Sequence, residues 1–343
     1  MIPKVSVIVP NYQHARYLKQ RLDSISSQTY QNFEVILLDD ASADESVTIL
    51  KSYADQHEHW SFYPNQSNSA SPFKQWQKGI NYARGEFIWF AESDDFADPK
   101  FLESLVPILE EKPQVGIVYA QSMLIDELGD QINSYEENLR FIYKSEAWQK
   151  DFVISGKEAC RKWLFYHNPI PNASGALIRK SAIDDIGGPE TEMRLNGDWH
   201  FYAKVLLKYD LAFKAQILNY FRVHQKTQRS KSIKRASVYS ELIAINKLLR
   251  EGLNKADKEA DAAMDEFANW WIGNLPYHSL DSENRSLNRK HYQTFKSYKN
   301  HLPWRIFLTF VISYLRDALK WLGILKPLKT LRARLYPGKY WTK

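Results

Sequence analysis

The stretch Phe87-Ile88-Trp89-Phe90-Ala91-Glu92-Ser93-Asp94-Asp95 runs five mostly large apolar residues straight into three carboxylates within four positions. An apolar run of that length reads as a strand buried on both faces. Its carboxylates then lie just past the strand's C-terminal end, where open α/β sheets place their ligands. Acids that close repel one another, so the cluster costs free energy unless a cation or bound group offsets it. A divalent metal completed by substrate phosphates answers that need. An acidic helix N-terminus answers it too, because Asp98-Pro99 begins a helical pattern three residues later.

Around this stretch strands alternate with helices. Residues 5–10 form a first buried strand, and 17–27 have helical spacing with Leu18, Leu22 and Ile25 on one face. Residues 33–38 form a second strand that also ends in acids, Asp39-Asp40. Ser42 is placed to cap a helix reaching about Gln56. A short strand near 61–63 and a helix over 72–83, closed by Gly85, lead into the acidic strand. This alternation implies a parallel sheet with right-handed crossovers. Two strands thereby bring carboxylates to one edge. Further on come a helix over 99–111, a strand over 115–119, and a polar, aromatic stretch over 130–155 that reads as a loop-rich insertion. A strand over 173–178 follows the loop at 168–172. Gly197-Asp198-Trp199-His200 opens the helix 201–208, and residues 218–224 end in a lone histidine, His224. Residues 237–271 read as helical and 279–288 as a polar linker.

Charge is divided unevenly. From Arg285 to Lys343 there are 14 Lys/Arg and one acid, Asp317, within a chain of net charge +6, so the remainder is net negative. The uncharged run 306–315 is half the length of the roughly 20 residues that span a bilayer. Trp and Tyr interleaved with Lys/Arg at helical spacing describe an interfacial helix on anionic lipid, as opposed to a helix packed on the body. That apolar content, with no accompanying motif, argues against nucleic acid as partner. The single cysteine, Cys160, excludes an intramolecular disulfide. Met1-Ile2-Pro3-Lys4 leads directly into a strand-like run, which reads as a cytoplasmic chain without a signal peptide.

Several motifs, in order, resemble family 2 glycosyltransferases: Val5-Ser6-Val7-Ile8-Val9-Pro10-Asn11-Tyr12, Ser27-Gln28-Thr29-Tyr30, Glu34-Val35-Ile36-Leu37-Leu38-Asp39-Asp40-Ala41-Ser42-Ala43-Asp44, and Ala83-Arg84-Gly85-Glu86 through Asp95. The resemblance covers about residues 3–228. It implies an α/β fold of the GT-A type, a Rossmann-like, mostly parallel sheet flanked by helices, with a C-terminal helical extension. The catalytic domain would be 1–230, the extension 231–300, and a basic, aromatic membrane-associating tail 301–343. It further implies an inverting transferase that takes sugar from a nucleotide-diphosphate donor, with Mn²⁺ or Mg²⁺, to a saccharide or lipid-linked acceptor in surface polysaccharide synthesis. The protein would work on the inner face of the cell membrane.

Carried onto this sequence, Pro10 and Tyr12 line the nucleobase site, Asp39 bonds the base, and Asp40 contributes beside it. Glu92, Asp94 and Asp95, with His224, hold metal, and Ser93 with Asp94 contacts the nucleotide. Asp198 is the general base, and Lys74 supplies positive charge to the diphosphate. Asn172 and Ser174 face the acceptor. An aspartate within hydrogen-bond reach suits removal of an acceptor hydroxyl's proton, and a metal or cations stabilise the leaving diphosphate. Two departures, Glu92 for the commoner first aspartate and Gly197 for the acid before the base, keep open a non-catalytic glycan- or nucleotide-binding assembly protein.

Overall fold

The computed structural model describes residues 2–223, 235–254, 256–278 and 281–321. They fall into two compact units, one drawn from Met1–Lys231 and Glu241–Ala263, the other from Ser232–Ser240 and Met264–Lys343. His224 and residues 322–343 of the tail lie outside the described residues.

The elements begin β1 (Val5–Asn11), α1 (Ala15–Ser26), β2 (Phe33–Asp39), α2 (Ser46–Gln56), β3 (Trp60–Pro64), α3 (Pro72–Tyr82), β4 (Phe87–Phe90), β5 (Phe96–Ala97) and α4 (Phe101–Glu111). They continue with β6 (Val115–Ile125), β7 (Gln131–Ser134), α5 (Tyr135–Tyr143), β8 (Phe152–Ile154), α6 (Gly156–Ala159), β9 (Ala176–Arg179), α7 (Lys180–Ile186), α8 (Gly197–Leu206) and β10 (Asp210–Arg222). The C-terminal helices are α9 (Ser237–Gly252), α10 (Asp257–Asn274), α11 (Ser282–Phe295) and α12 (Leu302–Trp321).

Among the described residues the first unit holds a ten-stranded sheet ordered β3-β2-β1-β4-β9-β6-β10-β5, with β7 beside β6 and β8 beside β10. The first four strands are parallel, as the alternating pattern predicts. β9 then runs antiparallel between β4 and β6, which makes the sheet mixed from that point on. The apolar runs of β1 and β4 are buried on both faces, and their residues alternate in destination. Val5, Val7, Val9 and Trp89 join the core under α1 and α4. Ile8 instead meets Gly79 of α3, and Phe90 stacks on Trp76 of α3 at 4.2 Å.

Three expectations change. Residues 130–155 hold β7, α5 and β8, anchored by Trp148, which is buried and donates from Nε1 to the Tyr119 hydroxyl at 2.5 Å. Ser42 does not cap α2, which starts at Ser46; its hydroxyl donates to Asp39 Oδ1 at 2.7 Å. The polar linker gives way to α11 in the second unit. Asp281 caps that helix by accepting from Asn284 N at 2.8 Å, and its inward positions Asn284, His291 and Phe295 are buried. Two of those three are polar, which hid the helical period.

Gly85 lies where β4 meets β1, and a Cβ there would sit 2.5 Å from the backbone N of Ser6. The two nearest atoms, Ser6 N and Val5 C, are β1 backbone and cannot swing aside as a side chain would. Gly85→Ala should destabilise the protein by about 1–3 kcal/mol, as overpacked cores do, seen as a lower urea midpoint; an unchanged midpoint would show that β1 and β4 can move apart.

Candidate functional site

β1 and β2 end in register, Asn11 beside Asp39. Asn11 Nδ2 donates to Asp39 Oδ1 at 2.8 Å, and Ser42 N donates to Oδ2 at 2.8 Å. Gln13 N donates to the Ser42 hydroxyl at 2.9 Å, so one serine staples the two strand-end loops. Gln13 and Ala41 both hold positive φ, 55° and 60°. Non-glycine residues sit there only when their surroundings enforce it. Pro10 is buried in this frame and Tyr12 is exposed. Asp40 works behind it: Asn65, Ser69 and Gln75 supply four hydrogen bonds to its carboxylate, at 2.7–2.9 Å. Three of those bonds fall on Oδ1 and one on Oδ2, and together they hold the loop before α3.

The acidic loop does not gather its three carboxylates on one point. Glu92 Oε1 accepts from Trp76 Nε1 at 2.9 Å. Asp95 is turned inward, where Oδ1 accepts from Arg222 N at 2.8 Å and Oδ2 from Asn172 Nδ2 at 2.5 Å and Ser174 Oγ at 2.7 Å. Among the described residues no three His, Cys, Asp or Glu side chains form a group able to hold a metal ion. Of the expected metal set Glu92, Asp94, Asp95 and His224, the last lies outside the described residues, while Glu92 and Asp95 are turned to protein donors. Burial also pushes the Glu92 carboxyl up to about 8 and the Asp95 carboxyl up to about 7, with the charge of Asp94 raising both further. Asp94 is half-buried. A single carboxylate fits a hard cation that arrives with a diphosphate and keeps much of its water.

Ser174 explains the loop's geometry. Its hydroxyl donates to Asp95 and accepts from Arg21 Nη2 at 2.8 Å and from Glu92 N at 3.0 Å. One donor and two acceptors are all a hydroxyl has. Ser174 is fully buried and Asn172 nearly so, with its Oδ1 taken by Asn219 Nδ2 at 3.0 Å. Both residues, expected to face an acceptor, are turned into the protein in this structure and shape the loop from beneath. Three residues of this site escaped sequence reasoning. Arg21 is fully buried and donates from Nε to Glu92 O at 2.8 Å; burial lowers its guanidinium to about 10. A cation inside the apolar stripe Leu18, Leu22 and Ile25 was the available signal. Arg222 donates from Nε to Asp94 O at 2.8 Å. His14 Nδ1 lies 2.8 Å from Ser93 Oγ and ties the β1 loop to the acidic loop.

Asp198 stands apart, second residue of α8 and half-buried. It does not cap the helix; Asn196 occupies that position. Asn168 Nδ2 approaches Asp198 Oδ2 at 3.4 Å. The preceding Gly197 has no room for a side chain, since a Cβ would lie 2.4 Å from the Phe73 ring. That contact accounts for the missing acid. Phe201 of α8 packs on Trp76 at 6.0 Å, and Trp76 bonds Glu92, so one aromatic layer carries both acidic positions. Lys74 is exposed and pairs with Glu192 at 3.7 Å; no described contact links it to the acidic loop.

The profile of glycosyl transferase family 2 matches residues 6–187. An uncharacterized glycosyltransferase of Rickettsia typhi is 26% identical over 241 residues, covering 70% of each chain. The glycosyltransferase GlyG of Streptococcus pneumoniae is 29% identical over 182 residues; the match covers 53% of this chain and 58% of GlyG, less than two thirds of that relative. Among solved structures, S. aureus TarS 1-349 in complex with UDP-GlcNAc superposes with a TM-score of 0.64 at 18% identity, over 88% of this chain and 82% of TarS. The mannosyltransferase PcManGT of Pyrobaculum calidifontis, in complex with GDP-Man and Mn2+, gives a TM-score of 0.54 at 17% identity, over 92% and 88%. The chain thus belongs to glycosyl transferase family 2, a sugar-transferring enzyme on the GT-A fold.

Proposed function

We propose that this enzyme is an inverting, metal-assisted glycosyltransferase that moves a sugar from a nucleotide diphosphate to a saccharide or lipid-linked acceptor of a surface polysaccharide. The observation that carries the reading is one aromatic layer tying the acidic loop to α8: Trp76 bonds Glu92, two residues before Asp94, and packs on Phe201 of the helix whose second residue is Asp198. In-line displacement at an anomeric carbon sets leaving group and attacking hydroxyl on opposite faces, so two acidic positions can take separate roles. Pro10, Tyr12 and Asp39 frame the nucleobase, with Asp40 fixing the loop behind them. Asp94 and Ser93 meet the diphosphate end. Asp94 holds Mg²⁺ or Mn²⁺ together with the donor's phosphates, and His224 is the candidate second protein ligand. The metal supplies charge stabilisation for the departing diphosphate. Asp198 accepts the acceptor hydroxyl's proton as that oxygen attacks. Relatives that bind UDP-GlcNAc or GDP-Man support nucleotide-sugar recognition without choosing the donor.

The body, residues 1–230, performs transfer in this reading, 231–300 extends it, and 301–343 hold it to an anionic cytoplasmic membrane face. No described helix is long and apolar enough to cross a membrane. At 100° per residue, Trp304, Phe307, Leu308, Val311 and Leu315 of α12 share one side, and each is exposed. Arg305, Thr309, Ser313, Arg316 and Lys320 share the other. An exposed apolar side backed by cations is the pattern of a helix lying in a lipid interface.

Two experiments test these readings. Asp198→Asn should lower kcat by about 10²- to 10⁴-fold with donor affinity retained, measured as UDP or GDP release across a panel including UDP-GlcNAc and GDP-mannose; wild-type turnover would remove Asp198 from the chemistry. Phe307→Glu with Val311→Glu should abolish cosedimentation with phosphatidylglycerol vesicles, and persistent binding would place the membrane contact elsewhere.

A further inference from the structure

The residues just before α8 are held by a group far along the chain. Glu241, on α9, points its carboxylate at three successive backbone amides. Oε1 accepts from Arg194 N at 2.8 Å, and Oε2 accepts from Leu195 N at 3.2 Å and Asn196 N at 2.7 Å. Asn196 Nδ2 adds a contact at 3.3 Å. Successive amides converging on one carboxylate form an anion-binding concavity, and bonds to an ionised acceptor are the strong kind. Glu241 belongs to the same compact unit as α8, though it lies outside the residues matched by the family profile.

The rest of α8 is fixed by other means. Trp199 Nε1 donates to Leu164 O at 2.9 Å, Lys204 Nζ to Gly188 O at 3.2 Å, and Phe201 is fully buried. Those contacts do not reach residues 194 and 195, and among the described residues Asn196 is otherwise tied only through its carbonyl, which accepts from His200 N at 3.0 Å in the helix's first turn; Asp198 follows within two positions. We propose that Glu241 is a positioning residue for Asp198: it clamps the 194–196 loop and so sets where the base's carboxylate stands. This rests on the assignment of Asp198 as general base.

Glu241→Ala should lower kcat about 10- to 100-fold, the scale on which small misplacements act, with donor KM unchanged. Glu241→Gln, which keeps an acceptor oxygen toward the amides, should recover part of that loss. In an Asp198→Asn background, Glu241→Ala should cost nothing more. Hydrogen exchange of the full chain supplies a readout that needs no substrate: the amides of Arg194, Leu195 and Asn196 should lose protection in Glu241→Ala while those of α8 from Phe201 onward keep theirs. If Asp198→Asn is inactive and Glu241→Ala turns over at the wild-type rate, the positioning role is wrong and the base assignment stands. If Asp198→Asn is active, both fall. Unchanged protection at 194–196 overturns the clamp itself, and loss of protection throughout α8 makes Glu241 a general structural support.

Discussion

The carboxylate of Asp95 is the interaction on which the site depends. It is almost fully buried, and an isolated charge there would be prohibitive. It persists because donors arrive from two separate segments: Arg222 at the end of β10, and Asn172 with Ser174 in the loop ahead of β9. Arg21 from α1 completes the set through the Ser174 hydroxyl. One buried acid therefore collects the parallel half of the sheet, the antiparallel strand and the long last strand at a single point beneath the acidic loop. Losing a partner would leave a buried polar atom unpaired, which costs more than the bond itself contributes.

That commitment divides the labour among neighbouring acids. Asp95 is consumed by architecture, and Glu92 is drawn to the Trp76 indole. Asp94 is left as the position whose charge presses on both. Three carboxylates in four residues look alike in a sequence, yet they face three environments because successive residues past a strand end point in different directions. The same logic separates Asp39 from Asp40. Asp39 shares its oxygens with Asn11 and Ser42 at the strand edge, whereas Asp40 is spent on the loop that leads to α3.

The parallel strands β1 to β4 were legible because apolar runs leave few alternatives, and the order of acidic strand ends was legible with them, whereas β7 and β8 lay hidden in a stretch that read as loop. Contacts between distant segments were not. Nothing local marks Ser174 as the hub of a buried network, and Asn172 beside it reads equally well as a turn or a ligand. Arg21 did leave a trace, a charge in an apolar stripe. The helix α11 was missed for the opposite reason: its buried side includes Asn284 and His291, whose polarity breaks the hydrophobic period; Asn284 bonds Asp281, and His291 Nε2 bonds the Ser240 hydroxyl.

Gly197 shows how a departure from a family pattern can be structural in origin. An acid at that position would collide with Phe73, whose ring packs against Trp76 at 5.2 Å. Trp76 in turn stacks on Phe90 and bonds Glu92. The aromatic layer and the glycine thus require each other, and enlarging Glu92 relative to aspartate gives it the reach to meet the indole. The two departures, read separately, cast doubt on catalysis. Read together they form one packed solution, in which a tryptophan spans the distance between the loop after β4 and the helix that carries Asp198.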